Sequence, residues 1–119
     1  NLTIMAANAT AAVNQNRLSQ ADRALLARYA EETCSDYCAG CGRLCSDVLS
    51  GGVPINDVMR CLMYYHCYQD IGLARSTFET LPTRTRALLT QMDFSEAEKS
   101  CPRNLPIGRL MRKAATLLA

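Results

Sequence analysis

The chain has 119 residues, of which 49% are hydrophobic and 20% charged, and its formal net charge is +2. This length and composition indicate a single globular domain with a buried core and argue against intrinsic disorder. The charge is too small to indicate nucleic-acid binding, and no run reaches the roughly 18 apolar residues of a membrane helix. We therefore expect neither nucleic acid nor a membrane as a partner. No signal peptide opens the chain, so we expect a cytoplasmic protein, and the first residue, Asn1, suggests a fragment or a processed chain.

The spacing of apolar residues predicts two helices in the N-terminal part. An alanine-rich helix is expected over 3–13. A second is expected over about 20–33, where Ser19 and Asp22 resemble a capping box. Residues 34–53 are rich in Cys, Ser and Gly and show no apolar period, so they are predicted to form a loop.

Helices are also predicted throughout the remainder of the chain, and no segment alternates as a strand does. The fold class is therefore predicted to be all-α. The first of these helices is expected to start after Pro54, with Asn56 as its cap, and to fade near Asp70. The second is expected over about 73–80, the third from Thr83 through Leu89, and the fourth as a single turn capped by Ser95 and ended by Cys101-Pro102. The last is expected to carry a stripe of Ile107, Leu110, Met111, Ala114 and Leu118.

Cysteines are concentrated in one short segment. The chain has seven, and an odd number leaves one thiol over in a framework made only of disulfides. Clustered thiols in reducing compartments usually serve as ligands, so metal or redox use is favoured. Cys34 and Cys38 also have the spacing of a helix-end pair, or of a disulfide formed on oxidation. The clustered cysteines are Cys34, Cys38, Cys41 and Cys45, and Cys101 stands alone before a proline.

Two segments 52 residues apart share a pattern. Residues 52–63 (GVPINDVMRCLM) and 104–115 (NLPIGRLMRKAA) both carry Pro-Ile followed by Met-Arg. In each, a proline elbow leads into an amphipathic helix, so we predict two pseudo-repeated units of cysteine loop, elbow and helix. At this offset Cys101 aligns with Leu49, and Cys45 aligns with Ala97.

The offset suggests which cysteines act together. In the bacterial ferredoxin run C-x2-C-x2-C-x3-C-P, the fourth cysteine binds the cluster of the other half. Here the first unit keeps three such cysteines and the second keeps only the fourth, although one residue is inserted between Cys41 and Cys45. The set Cys38, Cys41, Cys45 and Cys101 is therefore predicted to bind one 4Fe–4S cluster. A fold that retains thiols without metal, a zinc site and disulfides remain open alternatives.

Beyond the cysteines, the sequence has few candidates for chemistry. No nucleophile–base pair, paired carboxylates or phosphate-binding glycine loop is present, so we expect no catalytic residue in this chain. Cys61 and Cys67 are predicted to be small buried residues. The basic residues Arg109, Arg112 and Lys113 belong either to a solvated helix face or to a face that meets a catalytic domain.

These motifs, together with the segments LARSTFETLP and DFSEAEKSCPRNLPIGRLMRKAATLLA, resemble the C-terminal ferredoxin-like extension of a group of bacterial aldo/keto reductases. The resemblance implies that 1–33 follows the reductase barrel and that 34–119 is a degenerate ferredoxin-like helical domain. It implies NADPH and the catalytic residues in a barrel of about 250 residues before Asn1. The partner would be that N-terminal barrel, and the chain an accessory domain of an oxidoreductase. The alternative is a cofactor-free structural or docking module.

Overall fold

The computed structural model describes residues 1–14, 17–33 and 36–119, and within these ranges the chain has eight helices and no strand. The predicted all-α fold class is confirmed. None of the helices in these ranges is both long and apolar enough to cross a lipid bilayer. The helices are α1 (Leu2–Asn14), α2 (Gln20–Thr33), α3 (Arg43–Ser46), α4 (Ile55–His66), α5 (Ile71–Glu79), α6 (Thr83–Gln91), α7 (Ser95–Lys99) and α8 (Ile107–Leu118).

The chain divides into two compact units, Asn1–Ser35 and Asp36–Ala119. The first contains α1 and α2, at the positions predicted from the sequence. The capping box before α2 is confirmed: the Ser19 amide donates to Asp22 Oδ2 at 3.0 Å, and the Asp22 amide donates to Ser19 Oγ at 3.1 Å. The identities predicted for 1–33 and 34–119 remain predictions.

The second unit has a core built on α4 and α8. Helix α4 packs against α5 and α8, and α8 also contacts α5, α6 and α7. The predicted stripe on α8 is confirmed, since each of its five side chains is at most 2% exposed. A fully buried side chain of this size contributes about 1.5–3 kcal/mol, so this stripe is a main source of the unit's stability. Its residues are Ile107, Leu110, Met111, Ala114 and Leu118.

Three local predictions were wrong. The segment 34–53 is not a continuous loop, because it contains the short helix α3. Asn56 lies inside α4 rather than at its cap, and its amide group bonds Asp57 at 3.3 Å. Ser95 is the first residue of α7 rather than its cap, and it donates from both its amide and its hydroxyl to Asp93 Oδ1.

Helices α4 and α8 begin with the same backbone turn. Pro54 has φ −78° and ψ 78°, and Pro106 has φ −76° and ψ 73°. In both places the residue after the proline donates its amide to the carbonyl of the residue before it, at 2.9 and 2.8 Å, as in an inverse γ-turn. Two residues before each proline the backbone is left-handed, with φ 62° at Gly52 and 51° at Asn104.

The helices that precede these turns also correspond. Helix α3 begins at Arg43 and α7 begins at Ser95, which is the same offset of 52 residues. Ser46 of α3 accepts a hydrogen bond from the first amide of α4 at 3.2 Å, and Glu98 of α7 accepts one from Gly108 of α8 at 2.8 Å. Each proline elbow is thus fixed by the side chain at the equivalent position of the short helix before it.

Candidate functional site

The four cysteines predicted as ligands line one pocket. Its wall combines the loop before α3, the start of α3, the elbow before α8 and the buried sides of α4 and α8. Cys45 and Cys101 are buried, Cys38 is half-buried, and Cys41 is exposed. Cys45 and Cys101 are 56 positions apart in the sequence, so the fold brings them together. The pocket is lined by Cys38, Ala39, Cys41, Gly42, Cys45, Ile55, Met59, Cys101, Arg103, Leu105 and Ile107.

Two glycines allow the loop to follow this path. Gly40 has φ 74°, a conformation that favours glycine because it has no Cβ. At Gly42 a Cβ would come within 3.1 Å of the Asn56 side chain, so the missing side chain lets the loop approach α4 closely. The two glycines flank Cys41 and set the bend on which it lies.

Helix α3 places Cys45 on the inner wall. The Leu44 amide donates to the Cys41 carbonyl at 3.2 Å, so the helix starts directly from the loop. Cys45 is 6% exposed, and its thiol lies 3.9 Å from the Gly42 carbonyl, which accepts its weak hydrogen bond. One short helical turn therefore connects an exposed thiol to a buried one.

Cys101 reaches the pocket from the other half of the unit. Its amide donates to the Glu98 carbonyl at 3.1 Å, and its carbonyl accepts from the Asn104 amide at 3.0 Å. The amide of Cys101 therefore helps to end α7, and its carbonyl helps to form the turn before Pro106. This turn places Cys101 in the pocket that Cys45 also lines.

The electrostatics of Cys45 reflect these neighbours. Burial raises the pKa of the Cys45 thiol above its ordinary value, and the nearby thiols of Cys38, Cys41 and Cys101 raise this pKa further. A thiol in such surroundings is protonated at neutral pH, whereas metal ligation requires the thiolate. Binding of a cation by this set would therefore release a proton from Cys45.

An ion pair ties the start of the cysteine loop to α8. Arg109 Nη2 donates to Asp36 Oδ1 at 3.1 Å, across 73 residues of sequence. Both side chains are substantially exposed, at 65% and 44%, so the contact contributes little to global stability. Its effect is local, because it fixes the entry of the loop that carries Cys38 and Cys41.

The space inside the pocket is small. Its enclosed volume is about 10 Å³, about the room that one water molecule needs, within a wider space of about 370 Å³ that includes open solvent. Among the residues that the structure describes, no group of three or more His, Cys, Asp or Glu side chains is arranged to hold a metal ion. Four sulfur ligands of one zinc ion lie about 3.8 Å apart, as follows from Zn–S bonds of about 2.3 Å. In a 4Fe–4S cluster each thiolate binds a different iron, so its ligands lie further apart.

The donor set therefore fits a cluster in kind and number: four thiols that approach from two chain segments, with an apolar inner wall. Cys41 is the exposed member of the set, and Cys38 is half-buried. An enclosed space of about 10 Å³ is too small for the eight iron and sulfur atoms of a cluster, so the four thiols would have to spread apart to hold one.

Two of the positions that would carry ligands for a second cluster are apolar. At the offset of 52 residues Cys45 corresponds to Ala97, which is fully buried, and Cys101 corresponds to Leu49, which packs against the core. Phe94, just before α7, is also buried. Alkyl side chains cannot ligate iron, so Leu49 and Ala97 leave a second ligand set incomplete.

The other cysteines have different surroundings. Cys61 is fully buried in α4, as predicted for a small core residue. Cys67 is exposed at the end of α4, so the prediction that it is buried was wrong, because the helix ends one residue earlier at His66. Cys34 lies outside the described residues, and its predicted pairing with Cys38 stays a prediction.

Sequence reasoning did not identify the rest of the pocket wall. Ile55, Met59 and Leu105 supply its apolar side, and Arg103 supplies a positive charge. Ile55, Met59 and Leu105 belong to the two segments that share the Pro-Ile pattern, so that pattern could have indicated them. Arg103 follows the Cys-Pro pair, and only its closeness to a ligand in sequence could have singled it out.

Comparisons of the chain with protein-family models, with curated proteins and with solved structures give no match.

Proposed function

We propose that residues 36–119 form an electron-transfer domain that holds one 4Fe–4S cluster on Cys38, Cys41, Cys45 and Cys101. The observation that carries the proposal is the pocket itself, since these four side chains were selected from sequence spacing and line the same cavity. A 4Fe–4S cluster takes four cysteine thiolates. Such a cluster supplies one-electron redox chemistry, and the protein supplies the ligands and their surroundings.

The two elbows give the proposal its second support. Their matching dihedral angles, left-handed residues and side-chain ties are what two copies of one unit would retain. A two-cluster ferredoxin uses the fourth cysteine of each run on the cluster of the other half. We infer that the domain descends from such a pair of units and has kept one complete ligand set.

The residues of this chain would have distinct tasks around the cluster. Cys45 and Cys101 would hold its buried side and exclude water there, because both thiols lie against the apolar core. Cys41 would bind at the exposed side, where an electron donor or acceptor can approach. Asp36 and Arg109 would tether the start of the cysteine loop to α8.

A matched pair of cysteine variants tests the ligand assignment. Cys101→Ala removes a buried pocket thiol, whereas Cys61→Ala removes a buried thiol that does not line the pocket. Protein purified without oxygen should be brown and absorb near 400 nm, as expected for an iron–sulfur protein. We expect C101A to lose this absorption and C61A to keep it.

The possible results separate the alternatives. If C101A and C61A both keep the absorption, Cys101 is not a ligand and the assignment fails. If wild-type protein is colourless and iron-free but folded, the domain is a cofactor-free structural or docking module. The small enclosed volume and the raised pKa of the Cys45 thiol favour that second function, because both describe a packed neutral thiol.

The wider assignment follows from the family resemblance. We propose that the chain is an accessory domain of an aldo/keto-reductase-type oxidoreductase, with NADPH and catalysis in an N-terminal barrel of the same polypeptide, in the cytoplasm. The free thiols of the described cysteines suit a reducing compartment. Reading the coding sequence upstream of Asn1 tests the proposal: a barrel-sized reading frame supports it, and the absence of one contradicts it.

A further inference from the structure

The first unit carries large apolar side chains on an exposed surface. No residue of α1 is buried, and every residue from 20 to 32 in α2 is exposed. The two helices do not pack against each other, so the described residues of this unit form no core of their own. The large apolar side chains are 52% to 82% exposed, and they are Leu2, Ile4, Met5, Val13, Leu18, Leu25, Leu26 and Tyr29.

Helices of this length need a surface to pack on. Helix α1 has 13 residues and α2 has 14. Isolated helices shorter than about 12–15 residues are only marginally stable in water, and helices in proteins owe most of their stability to packing. Helix α1 also carries no charged side chain, so it has no ion pairs between successive turns to support it.

The charges at the end of α2 indicate what that surface is. The last turn contains Glu31 and Glu32 and no basic residue. Glu32 forms an exposed pair with Arg28 at 3.6 Å, a contact that contributes little. The C-terminal end of a helix dipole is negative and favours basic residues. This end of α2 therefore suits a positively charged neighbour.

The opposite end of α2 has the opposite sign. Arg17 and Arg23 lie there with one acidic residue, Asp22, whose carboxylate bonds Ser19. A second copy of α2 that runs antiparallel brings these arginines, and the positive end of its helix dipole, beside the glutamates of the first copy. A parallel copy would place the glutamates of both helices together. The charges of α2 are thus complementary to those of an antiparallel copy, the arrangement that a two-fold axis perpendicular to the helix produces.

The exposed apolar area is similar to that of a stable dimer interface. Fully burying one side chain of this kind removes about 60–120 Å² from water. At the observed exposure, the eight side chains together offer about 300–600 Å² per copy. A standard interface buries about 800 Å² per partner, of which about 450 Å² is apolar. The side chains of α2 alone fall short of this value, so α1 has to take part.

We propose that α1 and α2 form a self-association surface, in which α2 packs antiparallel on α2 of a second copy and α1 adds apolar area. Leu25 and Leu26 lie near the middle of α2, so the two-fold axis places them against the same residues of the second copy. The dimer gives both short helices the packing that they lack in one chain. The inference concerns the first unit and does not depend on a cluster in the second.

Sedimentation equilibrium of the full chain tests the proposal, with a thiol reductant present so that disulfides between chains do not contribute. Leu25→Glu places a charge at the middle of the surface. The matched control, Leu73→Glu, makes the same change at a leucine of α5 that is 43% exposed. Arg23→Glu reverses one charge of α2, and combining it with Glu32→Arg restores opposite signs between the two copies.

We expect wild-type protein to be a dimer at micromolar concentrations and to lose helical circular dichroism on dilution, since the separated helices are marginal. L25E should raise the dissociation constant about a hundredfold, because the change enters a two-fold interface twice. R23E should raise it about tenfold. L73E and the double variant R23E/E32R should stay close to wild type.

Three results would overturn the inference. Wild-type protein that stays monomeric throughout this range means that another chain or segment covers α1 and α2. Equal weakening by L25E and L73E places the contact elsewhere. A double variant that associates no better than R23E contradicts the antiparallel pairing. Urea unfolding shows whether each variant stays folded, and if L25E does not, the comparison of R23E with R23E/E32R decides.

Discussion

Glu98 fixes the start of α8, and its removal should destabilise the domain by about 2 kcal/mol. Its Oε1 accepts a hydrogen bond from the Gly108 amide at 2.8 Å, and the bond is partly buried. Pro106, the residue before α8, makes no side-chain hydrogen bond that caps the helix. Glu98 therefore supplies the acceptor that Pro106 does not. Hydrogen bonds to charged groups contribute about 1.5–3 kcal/mol, and the helix dipole favours a negative charge at this end.

The variant Glu98→Ala should therefore lower the free energy of unfolding by about 2 kcal/mol. Ser46→Ala removes the equivalent tie to α4, but its acceptor is neutral and the bond is longer, at 3.2 Å, so we expect about 1 kcal/mol. The matched control is Glu96→Ala, because Glu96 also lies on α7 but forms an exposed pair with Lys99, and exposed pairs contribute little to stability.

The assay is urea unfolding followed by circular dichroism. With a slope of about 2 kcal/mol per molar urea for a small protein, E98A should lower the midpoint by about 1 M and S46A by about 0.5 M. E96A should move it by less than about 0.25 M. A midpoint for E98A that is no lower than that of E96A would refute the idea that this side chain ties the elbow to α8.

Three further predictions address the core, the loop and pH. Met111→Ala should lower the free energy of unfolding by about 2–5 kcal/mol in the same urea assay, because Met111 is fully buried; a loss below about 1 kcal/mol contradicts its place in the core. Asp36→Asn should cost less than about 1 kcal/mol globally, since its pair with Arg109 is exposed. It should nevertheless speed alkylation of Cys38 several-fold by releasing the loop, and an unchanged rate would argue against a tie. The hydrogen bonds from Ser19 lower the pKa of Asp22, so the stabilisation is present above its ordinary pKa and is lost as pH falls through the lower folded value. NMR should show the start of α2 fraying only below about pH 4 in wild type. In Asp22→Asn the same fraying should be present above that pH as well.

The sequence predicted the long helices because their periodicity is a direct consequence of burial. The α8 stripe repeats at helical spacing, and each of its side chains is in the core. Helix α3 was missed because four residues are too few to show a period, and the cysteine that it buries was interpreted as part of a loop. The Asn56 cap was wrong because the elbow is capped from a distance by Ser46, a contact that no local pattern reveals.

The pocket was only partly predictable from the sequence. The grouping of Cys101 with Cys45 came from the offset between two segments, and in the structure both line the same pocket. The offset could not show that Cys41 is exposed, because that depends on the left-handed turn at Gly40. It also could not show that Arg103 lines the pocket, because an exposed arginine in a loop resembles any solvated charge.

The central claim is most directly tested by the number of iron and acid-labile sulfide atoms per chain in wild-type protein purified without oxygen. One cluster on Cys38, Cys41, Cys45 and Cys101 predicts about four of each. Folded protein with no iron would contradict the account and leave a cofactor-free module. About eight of each would also contradict it, because Leu49 and Ala97 leave the second unit without a ligand set.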